Sequence, residues 1–246
     1  LRLEVRPSPA AGQQALRKTT NDEPGLETRQ GASMSEQLFL SFVGTQYGGV
    51  LQPLEACLSA GKNFDAIWLC ATKKTCESAE RIQEYCVQKG YPPVCILPYD
   101  PLQPGAETDI VEKTGGATVF FNVEGGLNFA VSRMLLQLGD KCAYLLAADT
   151  DHLLCHRLAD GTREKLPLPP ALPVAEILRL QGVTWERTQL PLSLCSLCRK
   201  LGVSLPANRL ENVRIGNVDF DLVWNDGRNK LCFLTNFYRE RMENKA

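Results

Sequence analysis

Hydrophobic positions change their spacing repeatedly along this 246-residue chain, most sharply within residues 119–136, VFFNVEGGLNFAVSRMLL. A β-branched and aromatic run (Val119, Phe120, Phe121, Val123) meets Gly125 and Gly126. Apolar residues then recur at helical spacing (Leu127, Ala130, Val131, Met134, Leu135, Leu138). A period of two giving way to a period of 3.6 predicts a strand, a tight glycine turn and a helix. Residues 40–57 repeat this character around Gly44, Gly48 and Gly49. Glycines at such junctions leave backbone N–H groups open at a helix N-terminus, where the partial positive charge favours an anion. Two such loops on neighbouring parallel strands would define one ligand crevice.

The same reading predicts strands at 38–43, 66–71, 94–97, 118–123 and 142–148, with a hairpin-like return at 153–157. Helices are predicted at 50–60, 75–89, around 108–113 and 127–138. Alternating strand and helix imply an α/β fold, a Rossmann-like, mostly parallel sheet with helices on both faces. Residues 166–173, LPLPPALP, must be extended and set a domain boundary. Beyond it lie a short amphipathic helix at 174–182 and a second apolar segment at 190–201. Strands follow at 213–215, 220–224 and 231–235, the last two joined by the hairpin signal NDGRN, so this half reads as a small α+β module. Residues 1–33 are polar, lack a sustained period and precede Met34, and they read as a disordered leader or a non-native segment. The expected division is thus 1–33, a ligand-binding domain at 34–165, and a linker with a partial effector domain at 166–246.

Charge is nearly balanced, 27 basic against 28 acidic residues, so there is no global basic footprint for nucleic acid. No apolar run approaches the roughly 20 residues of a membrane span, and no membrane partner is expected. Ten cysteines scattered through apolar or helical segments read as reduced, buried thiols of a cytoplasmic protein.

Four constellations carry candidate chemistry. In the first loop, Gly44, Thr45, Gln46, Gly48 and Gly49 offer close backbone approach with uncharged hydrogen-bonding groups, without the spacing of a dinucleotide fingerprint or the lysine of a P-loop. In the second, Gly125 and Gly126 precede Asn128, placed to hydrogen-bond a base or ribose, with Arg133 further along the helix. Cys195 and Cys198 form a lone CxxC whose spacing continues an apolar helical stripe, which favours packing over zinc even with His152 and His156 in the chain. Asp219 and Asp221 alternate on one strand and so share a face, an arrangement that suits either a surface strand or the acidic half of a metal-dependent nuclease.

LFLSFVGTQYGGVLQPLEACL, FDAIWLCATKKTCESAERIQEY and VFFNVEGGLNFAVSRML together resemble the CRISPR-associated Rossmann-fold (CARF) domain. The similar group within that family ends in a restriction-nuclease-like module. The resemblance covers roughly residues 36–160. It implies a homodimer that binds cyclic oligoadenylate through Gly44, Thr45, Gln46, Gly48, Gly49, Thr72, Asn122, Gly125, Gly126 and Asn128. PALPVAEILRLQGV resembles the family's linker between sensor and effector. For the effector it implies Asp221 and Asp219 as catalytic carboxylates, Asp221 on Mg²⁺ or Mn²⁺, and DNA or RNA as substrate. Two departures matter. The second loop lacks the family's flanking Thr and Thr-Lys, which removes a cation. The second hairpin strand carries Thr235 and Phe237 where Glu-x-Lys is expected, with Lys230 at the turn and Glu211 upstream in a loop, so catalysis is expected to be weak or silent. The alternatives are a Rossmann-type enzyme acting on a mononucleotide or small metabolite through Asp100, Asp149 or Asp151, and a non-catalytic interaction protein.

Overall fold

The computed structural model describes residues 36–149, 151–188, 194–225 and 231–235. The leader expected at 1–33, together with Asp151's neighbour at 150, Lys230 and Phe237, lies outside these residues. Five parallel strands form the centre: β1 (Gln37–Phe42), β2 (Ala66–Ala71), β3 (Val94–Pro98), β4 (Thr118–Asn122) and β5 (Cys142–Asp149). They run in the order β3-β2-β1-β4-β5, and the antiparallel strands β6 (His152–Arg157) and β7 (Arg163–Pro167) extend the sheet beyond β5. Strand β7 is an addition to the sequence-based expectation. It falls in the stretch REKLP, where four of five residues are exposed, and its proline ends an edge strand.

Helices cover both faces, as expected. On one face lie α1 (Gly48–Ser59) and α2 (Cys76–Lys89); on the other lie α3 (Ala106–Lys113) and α4 (Asn128–Leu138). Strand β1 shows why: Phe39 enters the core beneath α1 and α2, whereas Leu38, Leu40 and Phe42 enter the core beneath α3 and α4. A strand buried on both faces needs the near-continuous apolar run that LFLSF provides, and each such side chain contributes roughly 1.5–3 kcal/mol on burial.

A second sheet, in the order β11-β10-β9-β8, is built from β8 (Trp185–Arg187), β9 (Arg209–Ile215), β10 (Val218–Asn225) and β11 (Leu231–Leu234), with α6 (Leu194–Lys200) beside β10. Between the two sheets runs α5 (Val174–Leu180). Its Ile177 and Leu180 join the first module's core, whereas Val174 and Leu178 join that of the second. Its N-terminus is held by the C-terminal module, where Asn208 Oδ1 accepts from Val174 N at 3.0 Å. Its C-terminus is held by Arg81 of α2, which donates to Leu180 O at 3.2 Å.

All ten cysteines are free thiols, but Cys76 and Cys95 are exposed, which corrects the expectation that the set is buried. Cys76 sits on the solvent side of α2, and alternation turns Cys95 outward on β3, an edge strand of its sheet.

Candidate functional site

Strand β1 is flanked by β2 and β4, so the chain reverses its direction of growth between β1 and β4. Crevices in open parallel sheets form at the carboxyl ends of the strands flanking such a reversal, and both glycine loops sit there. Ser41 of β1 registers with Asn122 of β4, which places the two loops side by side.

Their closeness is backbone against backbone. A Cβ on Gly125 would stand 1.9 Å from Phe42 O, and one on Gly126, at φ +87°, would stand 2.5 Å from Phe42 Cβ. The second loop therefore crosses the end of β1 at a distance that only glycine permits. Asn122, fully buried, locks the crossing. Its Nδ2 donates to Ser41 Oγ at 2.9 Å and to Gly49 O at 2.7 Å, and its Oδ1 accepts from Glu124 N at 3.2 Å. Gly49 O is free to accept because the residue four positions on is Pro53, which has no N–H for the helical bond. Glu124 then reaches β5, accepting from Ala148 N at 2.8 Å.

Above this clamp lies a cavity of about 910 Å³. From the predicted set it is lined by Gly44, Thr45, Gln46, Gly48, Gly49, Thr72, Gly125 and Gly126. Asn122 and Asn128 are not on its wall: Asn122 lies beneath the loops, and Asn128 is exposed at the start of α4, its carbonyl accepting from Ser132 Oγ at 2.9 Å. Helices α1 and α4 both begin at the crevice without a side-chain cap, leaving their first-turn N–H groups to other partners.

The turn after β2 contributes what the second loop lacks. Lys74 lines the cavity beside Thr72 and Thr75, whose hydroxyls stand 3.2 Å apart while Thr75 Oγ1 also accepts from Thr72 N at 3.0 Å. Lys74 thus brings a cation to the cavity wall from the end of β2. Sequence reading passed over Lys74 because a lysine pair opening a helix also reads as a solvated face. At the floor, Tyr99 packs edge-on against Phe42, with ring centroids 4.8 Å apart. Its hydroxyl donates to the buried Glu107 at 2.6 Å. Burial and that carboxylate push the Tyr99 phenol well above its ordinary value. Arg133 pairs with the other oxygen of Glu107 at 2.7 Å and so supports the floor. Leu172, Ile177 and Leu180 from the connecting segment, and Leu231 and Phe233 from β11, complete the wall. Asp100, Asp149 and Asp151, the candidates for a metabolite enzyme, are not on it.

The C-terminal carboxylates have different surroundings. Asp219 is held by Arg214 through both oxygens, at 2.8 and 3.1 Å. Asp221 is buried and accepts from Leu194 N at 3.3 Å at the start of α6. The β9–β10 ladder pairs Phe220 with Val213 and Leu222 with Glu211 but skips Asp221, opposite which Asn212 adopts a φ of +51°. Glu211 thus lies on β9 rather than in a loop. Cys195 Sγ donates to Asp221 O at 3.2 Å, which accounts for the CxxC as packing. Among the described residues no three His, Cys, Asp or Glu side chains gather as a metal site. Arg214 thus occupies both oxygens of Asp219, and the start of α6 occupies Oδ1 of Asp221.

No family model and no curated protein matches the chain. Solved structures do share its fold. Can2 from Sulfobacillus thermosulfidooxidans, in complex with cyclic tetra-adenylate, has a TM-score of 0.54 at 13% identity over 85% of this chain and 84% of that one. A type III CRISPR defence DNA nuclease activated by cyclic oligoadenylate gives 0.54 at 14% over 82% of this chain. Only 32% of that nuclease is covered, so this chain spans about a third of its length. Protein VC1899 from Vibrio cholerae gives 0.57 at 11%, over 80% and 79%. The likeness shows the fold: a Rossmann-like sheet with a small α+β module, the architecture implied by the CARF resemblance.

Proposed function

We propose that this chain is a cytoplasmic, CRISPR-associated sensor that binds cyclic oligoadenylate between its two glycine loops and transmits that binding to a nuclease-like C-terminal module. The observation that carries the reading is the single crevice of about 910 Å³ formed by both loops at the β1–β4 reversal, with Lys74 supplying positive charge. Two uncapped helix N-termini and a lysine suit phosphates, and the apolar walls suit bases. The shared fold with a protein solved bound to cyclic tetra-adenylate supports the ligand class.

A cyclic ligand with repeated units is matched by two copies of the same loops, hence an isologous homodimer. Leu127, on the crevice wall, and Phe129 and Leu136, two turns apart on α4, are 56%, 48% and 81% exposed and supply an apolar surface for that contact. Because Leu231 and Phe233 share the cavity wall, an occupant that prefers one placement of β11 shifts the population of module arrangements. Asp221 and Asp219 are the candidate catalytic carboxylates for DNA or RNA, and Asp221 is the candidate ligand for Mg²⁺ or Mn²⁺. The Arg214 clamp on both oxygens of Asp219 supports an output that is weak or silent in hydrolysis. No helix among the described residues is long and apolar enough to cross a membrane.

Thermal-shift titration with cyclic tetra- and hexa-adenylate, against AMP and NAD, tests the reading. Stabilisation by a cyclic oligoadenylate alone is expected, since a ligand that binds only the folded state raises its melting temperature. A shift with AMP or NAD but with neither ring would replace the sensor by a mononucleotide enzyme.

A further inference from the structure

We propose that a basic concavity on the C-terminal module, ringed by Arg187, Arg199 and Arg209, binds the phosphate backbone of a nucleic-acid strand. It is separate from the cyclic-nucleotide crevice, and it rests on the nuclease-like reading of this module. Its volume is about 460 Å³, and Thr188, Glu211 and Asn212 complete its polar lining. Three guanidinium groups face one carboxylate, so the concavity carries net positive charge although the chain as a whole does not.

Glu211 orders these arginines rather than neutralising them. Its oxygens accept from Arg209 Nε at 2.7 Å and from Arg199. Burial pushes the Glu211 carboxyl up, but hydrogen bonds from Arg209 and Arg199 outweigh it and hold the group below the usual range, so it stays charged. Each guanidinium has five N–H donors, and these pairs leave several over. Arg187, at the end of β8, pairs with Val213 through the ladder, and its guanidinium has no hydrogen bond or ion pair among the described residues. Planar forks held in place match the geometry of a phosphate.

Two further features converge here. Thr188 Oγ1 is buried with no hydrogen-bond partner among the described residues, which is costly unless something else completes it, and its hydroxyl can donate to a phosphate oxygen. Asn212 carries the one non-glycine positive φ among the described residues, +51°, and strained backbone persists where the surroundings require it. Arg199 shares α6 with Leu194, whose N–H meets Asp221, so the basic concavity and the candidate carboxylate are joined by one short helix. The concavity opens at the surface, with Arg187 and Arg199 exposed, which suits a strand passing across it better than an engulfed ion.

Fluorescence anisotropy of the full chain with labelled single- and double-stranded oligonucleotides, in chelator to exclude cutting, tests the proposal. Arg187→Gln should weaken binding about tenfold and lower the salt slope by about one, and Arg187→Lys should restore part of both. Arg157→Gln on the first module is the matched control and should change neither. Inorganic phosphate and a mononucleotide, added as competitors, should displace the strand only weakly. Equal binding by wild type, Arg187→Gln and the Arg187→Gln/Arg199→Gln double variant would overturn the proposal. So would a mononucleotide binding as tightly as the strand, which would mark a small-anion site. Cyclic tetra-adenylate thermal shifts on the same samples separate this result from the sensor reading: a strand-binding loss with the shift intact assigns the defect to the basic concavity alone.

Discussion

Replacing Asn122 by alanine isolates the clamp under the ligand loops. The variant removes donors to Ser41 Oγ and Gly49 O and the acceptor for Glu124 N. Each such bond contributes about 0.5–1.5 kcal/mol net, and each buried group left without a partner costs about 1–3 kcal/mol. Gly49 O has no helical donor to fall back on, because Pro53 lacks an N–H. Partial relaxation of the loops recovers some of this, so we expect a loss of about 3 kcal/mol in urea unfolding. For a folded unit of this size that corresponds to a fall of about 6–12 °C in melting temperature. At temperatures where the variant remains folded, the affinity for cyclic tetra-adenylate should also fall, because the loops adopt the binding geometry only part of the time. A loss below about 1 kcal/mol with unchanged affinity would refute the reasoning, since it would mean the loops hold their crossing through glycine packing alone.

Lys74→Ala should weaken cyclic tetra-adenylate by about tenfold, ~1.4 kcal/mol, in calorimetric titration while leaving the melting temperature unchanged. Brief alkylation of the native protein, read by peptide mass, should modify Cys76 and Cys95 first. Cys57 and Cys86, whose thiols burial pushes up to about 12, should react only after unfolding. Glu211 is held below its ordinary carboxylate value, so the stability it contributes is present above about pH 4.5 and is lost as pH falls through the lowered value. The difference in urea stability between wild type and Glu211→Gln should therefore vanish on acidification.

Which parts were legible from sequence follows from where local rules act alone. The parallel sheet and its helices could be read because LFLSF, AIWLC and TVFFN are buried on both faces, and the helices after them keep a clear apolar stripe. Strand β7 was missed although Asp160-Gly161 marks a hairpin turn, with Gly161 at φ +71°. Its mostly exposed REKLP gave no alternation to read. Both glycine loops were legible as loops, but glycines that admit a ligand and glycines that admit a neighbouring backbone look alike in sequence. Only the approach of Gly125 to Phe42 O separates the two. For Asn122 the family resemblance implies a ligand contact, and nothing local marks the clamp it forms, because its partners, Ser41 and Gly49, lie 81 and 73 residues away. Asp219 and Asp221 alternate on β10 as strand periodicity implies, but their different surroundings, an exposed arginine clamp for one and burial against α6 for the other, depend on Arg214 and Leu194, which local alternation does not mark.

Helix α5 is seven residues long, well short of the 12–15 at which an isolated helix becomes even marginal in water. It exists because Asn208 grips one end and Arg81 the other, while its side chains complete two separate cores. Such an element works as a clutch rather than a hinge: engaged, it passes torque from one sheet to the other, and once either grip slips, the helix melts and the torque is no longer carried. Because its side chains fill both cores, the two sheets should unfold in one calorimetric transition despite their separate interiors.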